Sequence, residues 1–279
     1  MKKIIVLISC FITLGCQDVI EVELPTEEPR LVIDALIRLD DVDNPSVLVQ
    51  IKASLTSSFF EEVQAAQLEE ITLRNTVSGS VITLTESIPG TGVYEKEWEV
   101  EELTQGDLEL RVSHNGQDYL AQTKYVPAVP LDSLEQGTTT LFGDDETEVI
   151  VTFTDDGERD DFYLFDFDFG EYLVSEDEFY QGQRFQFSFF YDSKLEDQRM
   201  VTISLLGIDK DLFNYMNQLI SQSGPDTGPF STPATTVKGN IINITNENDT
   251  VGNNATNGNF ALGYFAVCQT FSDTLLINK

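Results

Sequence analysis

Three groups of residues in this sequence could do chemistry: an acidic loop, a strand of alternating carboxylates and aromatic rings, and a cysteine near the first residue. The acidic loop places carboxylates on both sides of Gly157. Calcium takes about six to eight oxygen ligands from flexible loops, so a calcium site is one interpretation, although the spacing differs from that of an EF-hand. The alternative is a solvated turn between two strands. The candidate ligands are Asp155, Asp156, Glu158, Asp160 and Asp161.

The alternating stretch reads Phe165, Asp166, Phe167, Asp168, Phe169. On one strand the two aspartates would share a face about 7 Å apart, a separation similar to that of the paired carboxylates of glycoside hydrolases. Aromatic rings beside carboxylates also suit a sugar or a cationic ligand, so these five residues are the candidate ligand-binding set. The alternative is a strand with one solvated face and no catalytic role.

Cys16 follows two lysines, an apolar stretch from Ile4 to Leu14, and Gly15. A positive start, an apolar run of about 7–15 residues and a small residue before the cleavage point are typical of a secretory signal. The run is shorter than the roughly 20 residues that a helix needs to cross a bilayer. We therefore predict a lipoprotein signal at residues 1–15 and lipid attachment at Cys16. The alternatives are an ordinary secretory signal cut nearby and an uncleaved anchor.

The composition excludes several classes of function. A net charge of −32 argues against nucleic acid as a partner, because nucleic-acid binding needs a basic surface. With one histidine and three cysteines, zinc sites and catalytic triads are difficult to build. His114 precedes Asn115-Gly116, a hairpin turn pair, and is expected to be exposed. Cys268 lies in an apolar string, which is typical of a buried cysteine. We predict a protein that is not an enzyme and has no cofactor, with calcium as the one candidate cation.

Short alternating or β-branched runs follow one another along the chain, which indicates a mainly β fold. We predict a tether at residues 16–30, an immunoglobulin-like β-sandwich at 31–126 and a second β-rich domain at 127–279. The boundary is Val126–Pro130, because two prolines interrupt a sheet. One helix near 210–222 is predicted to cover a sheet face, with Asp209 as its N-cap. Residues 59–68 are expected to form a short helix or an exposed loop.

Several short motifs carry a resemblance to a known family, and the ending is the most specific of them. The chain resembles the domain-of-unknown-function 4249 family over almost its whole length after the signal. The motifs are Cys16, Leu31–Ile37, Gly92–Tyr94, Gly116–Tyr119 with Ala121, Val126–Pro127 leading to Asp132–Ser133, Gly239–Ile241, and Ala261–Phe265.

The resemblance implies an outer-membrane lipoprotein of Bacteroidota, often encoded beside TonB-dependent receptors, with no established enzymatic role or site residues. The predicted localisation is therefore the outer membrane. Gln17-Asp18 after the cysteine resembles the acidic surface-export signals of such lipoproteins, which implies the cell surface, and the periplasmic face is the alternative. The predicted function is a non-enzymatic binding protein that assists a TonB-dependent nutrient transporter, held in the bilayer by acylated Cys16. A structural or adhesive surface protein and a glycan-acting hydrolase are the alternatives.

Overall fold

The computed structural model describes residues 28–58, 61–141, 146–191, 195–223, 235–245 and 260–278. The predicted signal, Cys16 and most of the predicted tether lie outside these residues. The described chain is mainly β with one principal helix, which confirms the predicted fold class.

The first ten strands are β1 (Leu31–Leu39), β2 (Ser46–Leu55), β3 (Gln64–Ala65), β4 (Glu70–Asn75), β5 (Val81–Thr83), β6 (Thr85–Glu86), β7 (Val93–Glu99), β8 (Asp107–His114), β9 (Gln117–Val126) and β10 (Leu131–Gln136). The remaining strands are β11 (Thr147–Thr154), β12 (Phe162–Asp166), β13 (Tyr172–Glu176), β14 (Arg184–Tyr191), β15 (Met200–Ile208), β16 (Ile242–Asn243) and β17 (Leu262–Leu276). The helices are α1 (Val100–Thr104) and α2 (Lys210–Ser223), with a 3-10 turn at Asp177–Phe179.

The N-terminal half is a sandwich of two sheets around one apolar core. One sheet has the order β6-β7-β2-β1-β17 and the other β5-β4-β8-β9-β16, and a short parallel pairing of β9 with β17 joins them. Alternate side chains of β1 point inward, and Ile33, Ala35 and Ile37 are buried. Burying apolar surface stabilises this half by about 25 cal/mol per Å².

Two local features of this half differ from the predictions. Residues 64–65 form a short strand on β2 instead of a helix, and α1, which was not predicted, follows β7 directly. The predicted Asn115-Gly116 turn is confirmed, since both residues have positive φ (50° and 67°). His114 is buried instead of exposed, because its Nδ1 lies 2.9 Å from the carbonyl oxygen of Gln67.

The C-terminal half is a second sandwich with an aromatic core. A three-stranded sheet, β10-β11-β14, packs on the sheet β13-β12-β15-β17. Phe153 on β11 lies between the rings of Tyr163, Phe165 and Tyr180, with ring centroids 5.4–5.5 Å apart. Edge-to-face ring pairs of this kind contribute about 0.5–1.5 kcal/mol beyond their burial.

Strand β17 belongs to both halves, which alters the predicted division at residue 127. Its first part pairs in parallel with β1, from Val32↔Leu262 to Leu39↔Gln269. Its second part pairs with β15, from Leu206↔Thr270 to Met200↔Leu276. Residues 260–268 of the predicted second domain therefore complete the N-terminal sandwich.

A small polar motif fixes the first part of β17. The Asn240 side chain donates to the Phe265 carbonyl oxygen (2.8 Å) and accepts from the Phe265 N–H (2.9 Å). A Cβ on Gly239 would overlap the carbonyl oxygen of Gly263. Gly263 itself has φ of 97°, and a Cβ there would overlap the carbonyl oxygen of Ile33. The Gly239–Ile241 motif and Gly263 are thus required by close backbone packing.

Helix α2 confirms the predicted helix and its cap. The Leu212 N–H donates to the Asp209 carboxylate (2.7 Å). Leu212 is buried against Leu164, Leu206 and Cys268, so the helix covers the outer face of β12, β15 and β17 at the junction of the two halves. None of the helices in the described ranges is long and apolar enough to cross a bilayer.

Replacing Asn240 with alanine is expected to lower the free energy of unfolding by about 1–3 kcal/mol, because the buried Phe265 amide and carbonyl lose their partners. Urea denaturation measures this change. Asn44→Ala, at an exposed turn position, is the matched control and should stay within about 0.5 kcal/mol of the parent. Equal stabilities for the two variants would contradict this role for Asn240.

Candidate functional site

The acidic loop is mostly turned inward. Asp155 and Asp161 are only 5% and 6% exposed, and both contact the hydroxyl of buried Tyr163, at 2.5 and 3.0 Å. Asp155 also accepts from the Gly182 N–H, and Asp177, another buried carboxylate, accepts from the Asp161 N–H.

The remaining candidate ligands of the loop are directed elsewhere. Asp156 contacts Arg159 at 3.2 Å, Asp160 accepts from the Gln181 side chain, and Glu158 is exposed. Among the described residues, no three Asp, Glu, His or Cys side chains are grouped so that they could hold a metal ion. The carboxylates of the loop instead accept hydrogen bonds from the protein itself.

This geometry raises the pKa of Asp161 above its ordinary value. Burial, and then the hydrogen bond to Asp155, raise the pKa of Tyr163, so the phenol keeps its single proton. The shorter contact, with Asp155, uses that proton. Burial also raises the pKa of Asp161, and Arg159 opposes this only in part. The same Asp161 oxygen also accepts from the Arg159 guanidinium at 3.0 Å.

The prediction that Asp166 and Asp168 share one face of a continuous strand is wrong. Strand β12 ends at Asp166, and Asp168 lies in a turn with φ of 67°. Asp166 forms an ion pair with Arg38 of β1 (2.7 Å) and accepts from the Asp168 N–H (3.0 Å). Its carboxylate therefore ties the two halves of the molecule together.

The aromatic members of the predicted binding set are divided between core and surface. Phe165 and Phe167 are fully buried, and Phe167 stacks on Phe189 with centroids 3.8 Å apart. Phe169 is 46% exposed, and its ring lies 4.8 Å from the Arg199 guanidinium. Two of the three rings are thus structural, and the set does not form one surface.

A cavity of about 270 Å³ lies between α2 and the strands at the junction of the two halves. Its floor is the outer face of β1 and β17, and its roof is one face of α2. Pockets that hold small molecules are mostly apolar with a few placed polar groups, and this lining has that character. The lining residues are Val32, Ile33, Asp34, Leu36, Leu164, Tyr172, Leu212, Tyr215, Met216, Leu219, Gly263, Tyr264 and Ala266.

The polar groups of the cavity are three phenols and one carboxylate. Burial raises the pKa of Tyr172, Tyr215 and Tyr264, so each keeps its hydroxyl proton at neutral pH. The rings of Tyr215 and Tyr264 lie 5.0 Å apart and join the helix to β17. Asp34 is exposed at the rim. No lysine or arginine is among the lining residues, so the arrangement suits an apolar ligand whose polar end is neutral or cationic.

Neither Cys268 nor His114 is among the residues that line this cavity. Cys268 is buried, as predicted, and burial raises its pKa to about 12, so the thiol stays protonated. His114 lies at the opposite end of β8, near Gln67.

Sequence reasoning found the roof of the cavity but not the cavity. The apolar stripe of α2 predicts that the helix covers a sheet. The floor could not be predicted because it forms only where β1 and β17 lie side by side. Their parallel pairing is seen in the structure and not in the sequence. One signal was available: Val32 and Leu36, on the face of β1 opposite the core, are also apolar.

A family model described as "Domain of unknown function (DUF4249)" matches residues 17–274. No curated protein matches the chain. One similar solved structure is that of a DUF4785 family protein from Legionella pneumophila, at 16% identity and a TM-score of 0.23. The match covers 63% of this chain and 52%, about half, of that chain.

Replacing Asp161 with asparagine is expected to change how stability depends on pH. The folded-state pKa of Asp161 lies above its ordinary value of 3.8, so the folded chain holds this proton where the unfolded chain has lost it. The contribution of Asp161 to the free energy of unfolding is therefore fully present below pH 3.8 and is lost as pH rises through the folded-state pKa. Denaturation at a series of pH values should show Asp161→Asn gaining stability relative to the parent as pH rises.

Asp160→Asn removes an exposed carboxylate of the same loop and serves as the matched control. Its stability relative to the parent should change little with pH. A flat difference for Asp161→Asn as well would contradict a raised folded-state pKa for Asp161.

Proposed function

Because this chain belongs to the DUF4249 family, whose model matches residues 17–274, we propose that it is a lipid-anchored, non-catalytic binding protein of the outer membrane. It captures a small, largely apolar ligand in the cavity under α2 and presents it to a TonB-dependent receptor. The proposed function is the one predicted from the sequence, but the proposed binding site is the cavity under α2 instead of residues 165–169.

The cavity is the observation that carries the proposal. It has apolar walls from four elements, three neutral phenol donors and one carboxylate at the rim. A ligand there would bury its apolar part against Leu36, Met216 and Leu219 and donate from its polar end to Asp34. Apolar burial contributes about 25 cal/mol per Å², and the hydrogen bonds select the orientation.

Binding is favoured over glycan hydrolysis by the state of the carboxylates. A glycosidase needs two carboxyl groups about 5–10 Å apart, one on each side of the scissile bond. Asp166 is held by Arg38, and the side chain of Asp168 accepts from the Phe169 and Thr202 N–H groups. Both carboxylates are therefore engaged in fixing the fold.

The signal-like run before Cys16 supports the anchor, and the family resemblance implies the receptor partner. Attachment of acyl chains to Cys16 contributes about 0.8 kcal/mol per buried methylene, and stable anchoring takes more than one chain. The face of the membrane proposed here is the cell surface.

Filling the cavity is expected to abolish binding of an apolar probe. Val32→Trp projects an indole from the floor of the cavity, and it should weaken binding of the neutral fluorophore N-phenyl-1-naphthylamine at least tenfold. Fluorescence titration of the purified chain measures this. Val81→Trp, at a position that is 53% exposed on β5, is the matched control and should bind like the parent. Equal affinity in Val32→Trp would refute the cavity as the binding site.

Replacing Cys16 with serine is expected to move the protein from the outer-membrane fraction to the soluble fraction, because the acyl acceptor is lost. Cys10→Ser, inside the predicted signal, is the control and should fractionate like the parent. Purification from detergent-solubilised outer membranes should recover a TonB-dependent receptor with the parent and with Cys10→Ser. Repeated recovery of the anchored parent without any receptor would count against the proposed partner.

A further inference from the structure

The two sheets of the C-terminal sandwich differ in width. The sheet β13-β12-β15-β17 has four strands, whereas the facing sheet β10-β11-β14 has three. Strand β14 pairs with β11 along its whole length, and among the described strands it has no neighbour on its other side. One edge of the narrower sheet is therefore open for the length of β14, about 25 Å.

The hydrogen-bond pattern shows which groups face this open edge. The Asp155 N–H donates to the Gln183 carbonyl oxygen (3.1 Å), just beyond the Thr154↔Arg184 pair. Residues of an antiparallel pair alternate between bonding each other and pointing away. The N–H and C=O groups of Arg184, Gln186, Ser188 and Phe190 therefore point away from β11. Within the described residues, no backbone partner is found for them.

Aromatic rings line the core side of the same edge. Phe185, Phe187 and Phe189 are only partly buried, although each packs on a core ring. Phe185 stacks on Tyr180 (4.4 Å between centroids), and Phe187 meets Phe165 edge to face (5.1 Å). These ring contacts hold β14 in place, while the backbone edge that faces away from β11 stays open.

Strand β14 lacks the features that usually protect an edge strand. Edges are blocked by proline, lysine, β-bulges or very short strands. Strand β14 has eight residues without proline or lysine, and its register with β11 shows no shift. Its one charged residue, Arg184, stands at the first position and contacts Asp132 at 3.7 Å. Its middle is steadied by the Ser188 hydroxyl, which donates to the Glu148 carboxylate (2.6 Å). The edge is therefore straight, ordered and suited to pairing.

We infer that β14 is a docking edge for an extended segment of another protein, which adds as a fourth strand to the β10-β11-β14 sheet, antiparallel like the other pairs of that sheet. Main-chain hydrogen bonds to Gln186 and Ser188 hold the segment, and its alternate side chains give specificity. Apolar side chains of the segment cover Phe187 and Phe189 on the core side.

Charge identifies the chemistry of the partner. The chain has a net charge of −32, so a second copy is repelled and a basic segment is attracted. The outer-face neighbours of β14 include Asp132 and Glu148, which both contact β14 side chains. The segment that fits is extended, with apolar residues on one face and lysine or arginine on the other.

The probe for this edge is a fluorescein-labelled peptide, Lys-Val-Lys-Val-Thr-Val-Lys-Val-Lys, titrated against the purified full chain by fluorescence anisotropy. Gln186→Pro removes an outward N–H and leaves the inward ladder to β11 intact, because proline is tolerated where the N–H faces away from the sheet. Gln186→Ala removes the same side chain and keeps the N–H. We expect the parent and Gln186→Ala to bind equally and Gln186→Pro to bind at least tenfold more weakly. Equal binding by the two variants, or no binding by the parent, overturns the inference.

Three further measurements keep the test decisive. A peptide of the same composition without alternation reports simple charge attraction, and equal binding of both peptides overturns the inference. N-methylation of the peptide tests the edge without altering the protein, in case Gln186→Pro does not fold. Methylating the lysine amides, which pair with Gln186 and Ser188, should abolish binding, whereas methylating the valine amides should leave binding unchanged. The inference is overturned if methylated valine amides abolish binding and methylated lysine amides do not. Self-association of the parent that Gln186→Pro abolishes would replace the basic partner with a second copy.

Discussion

The structure depends on one strand, β17, because it supplies backbone partners to both halves. The first part of β17 hydrogen-bonds to β1, and its second part hydrogen-bonds to β15. Polar side-chain contacts also hold β17 in place. The Ala128 N–H, in the segment between the halves, donates to the Gln269 side chain of β17 (3.0 Å). Arg38 of β1 and Asp166 of β12 add a half-buried ion pair across the same junction. The cavity and its covering helix lie where these contacts hold the halves together.

The residues on which the resemblance to the family rests are mostly the ones that build this frame. The Tyr94 hydroxyl bonds the backbone of Ala66 and Leu68. Asn240 bonds β17, and Gly263 permits the close approach of β1. Tyr94 and Asn240 supply hydrogen-bond partners to backbone groups that are shielded from water. Gly263 leaves room for the backbone of β1. Family membership therefore reports the architecture of the chain.

Local features of the fold could be predicted from the sequence, and long-range ones could not. The β pattern, the Asn115-Gly116 turn and the Asp209 cap each depend on a few neighbouring residues, and all three are confirmed. The partner of Asp166 is Arg38, which lies on a strand far away in the sequence. The sequence therefore shows an aspartate between two phenylalanines but not the ion pair that it forms. The predicted pair of carboxylates is wrong because the alternation predicts a continuous strand, whereas β12 ends at Asp166 and Asp168 lies in a turn.

The pairing of β1 with β17 also constrains how this protein is made. The two strands come from opposite ends of the described chain, so the N-terminal sandwich cannot close until residues 261–268 are available. Contacts between such distant segments slow folding. A chain exported in vectorial order, first residue leading, would therefore stay unfolded during passage through a narrow translocon. It would acquire its shape only after its last strand emerged, which is compatible with the export proposed above.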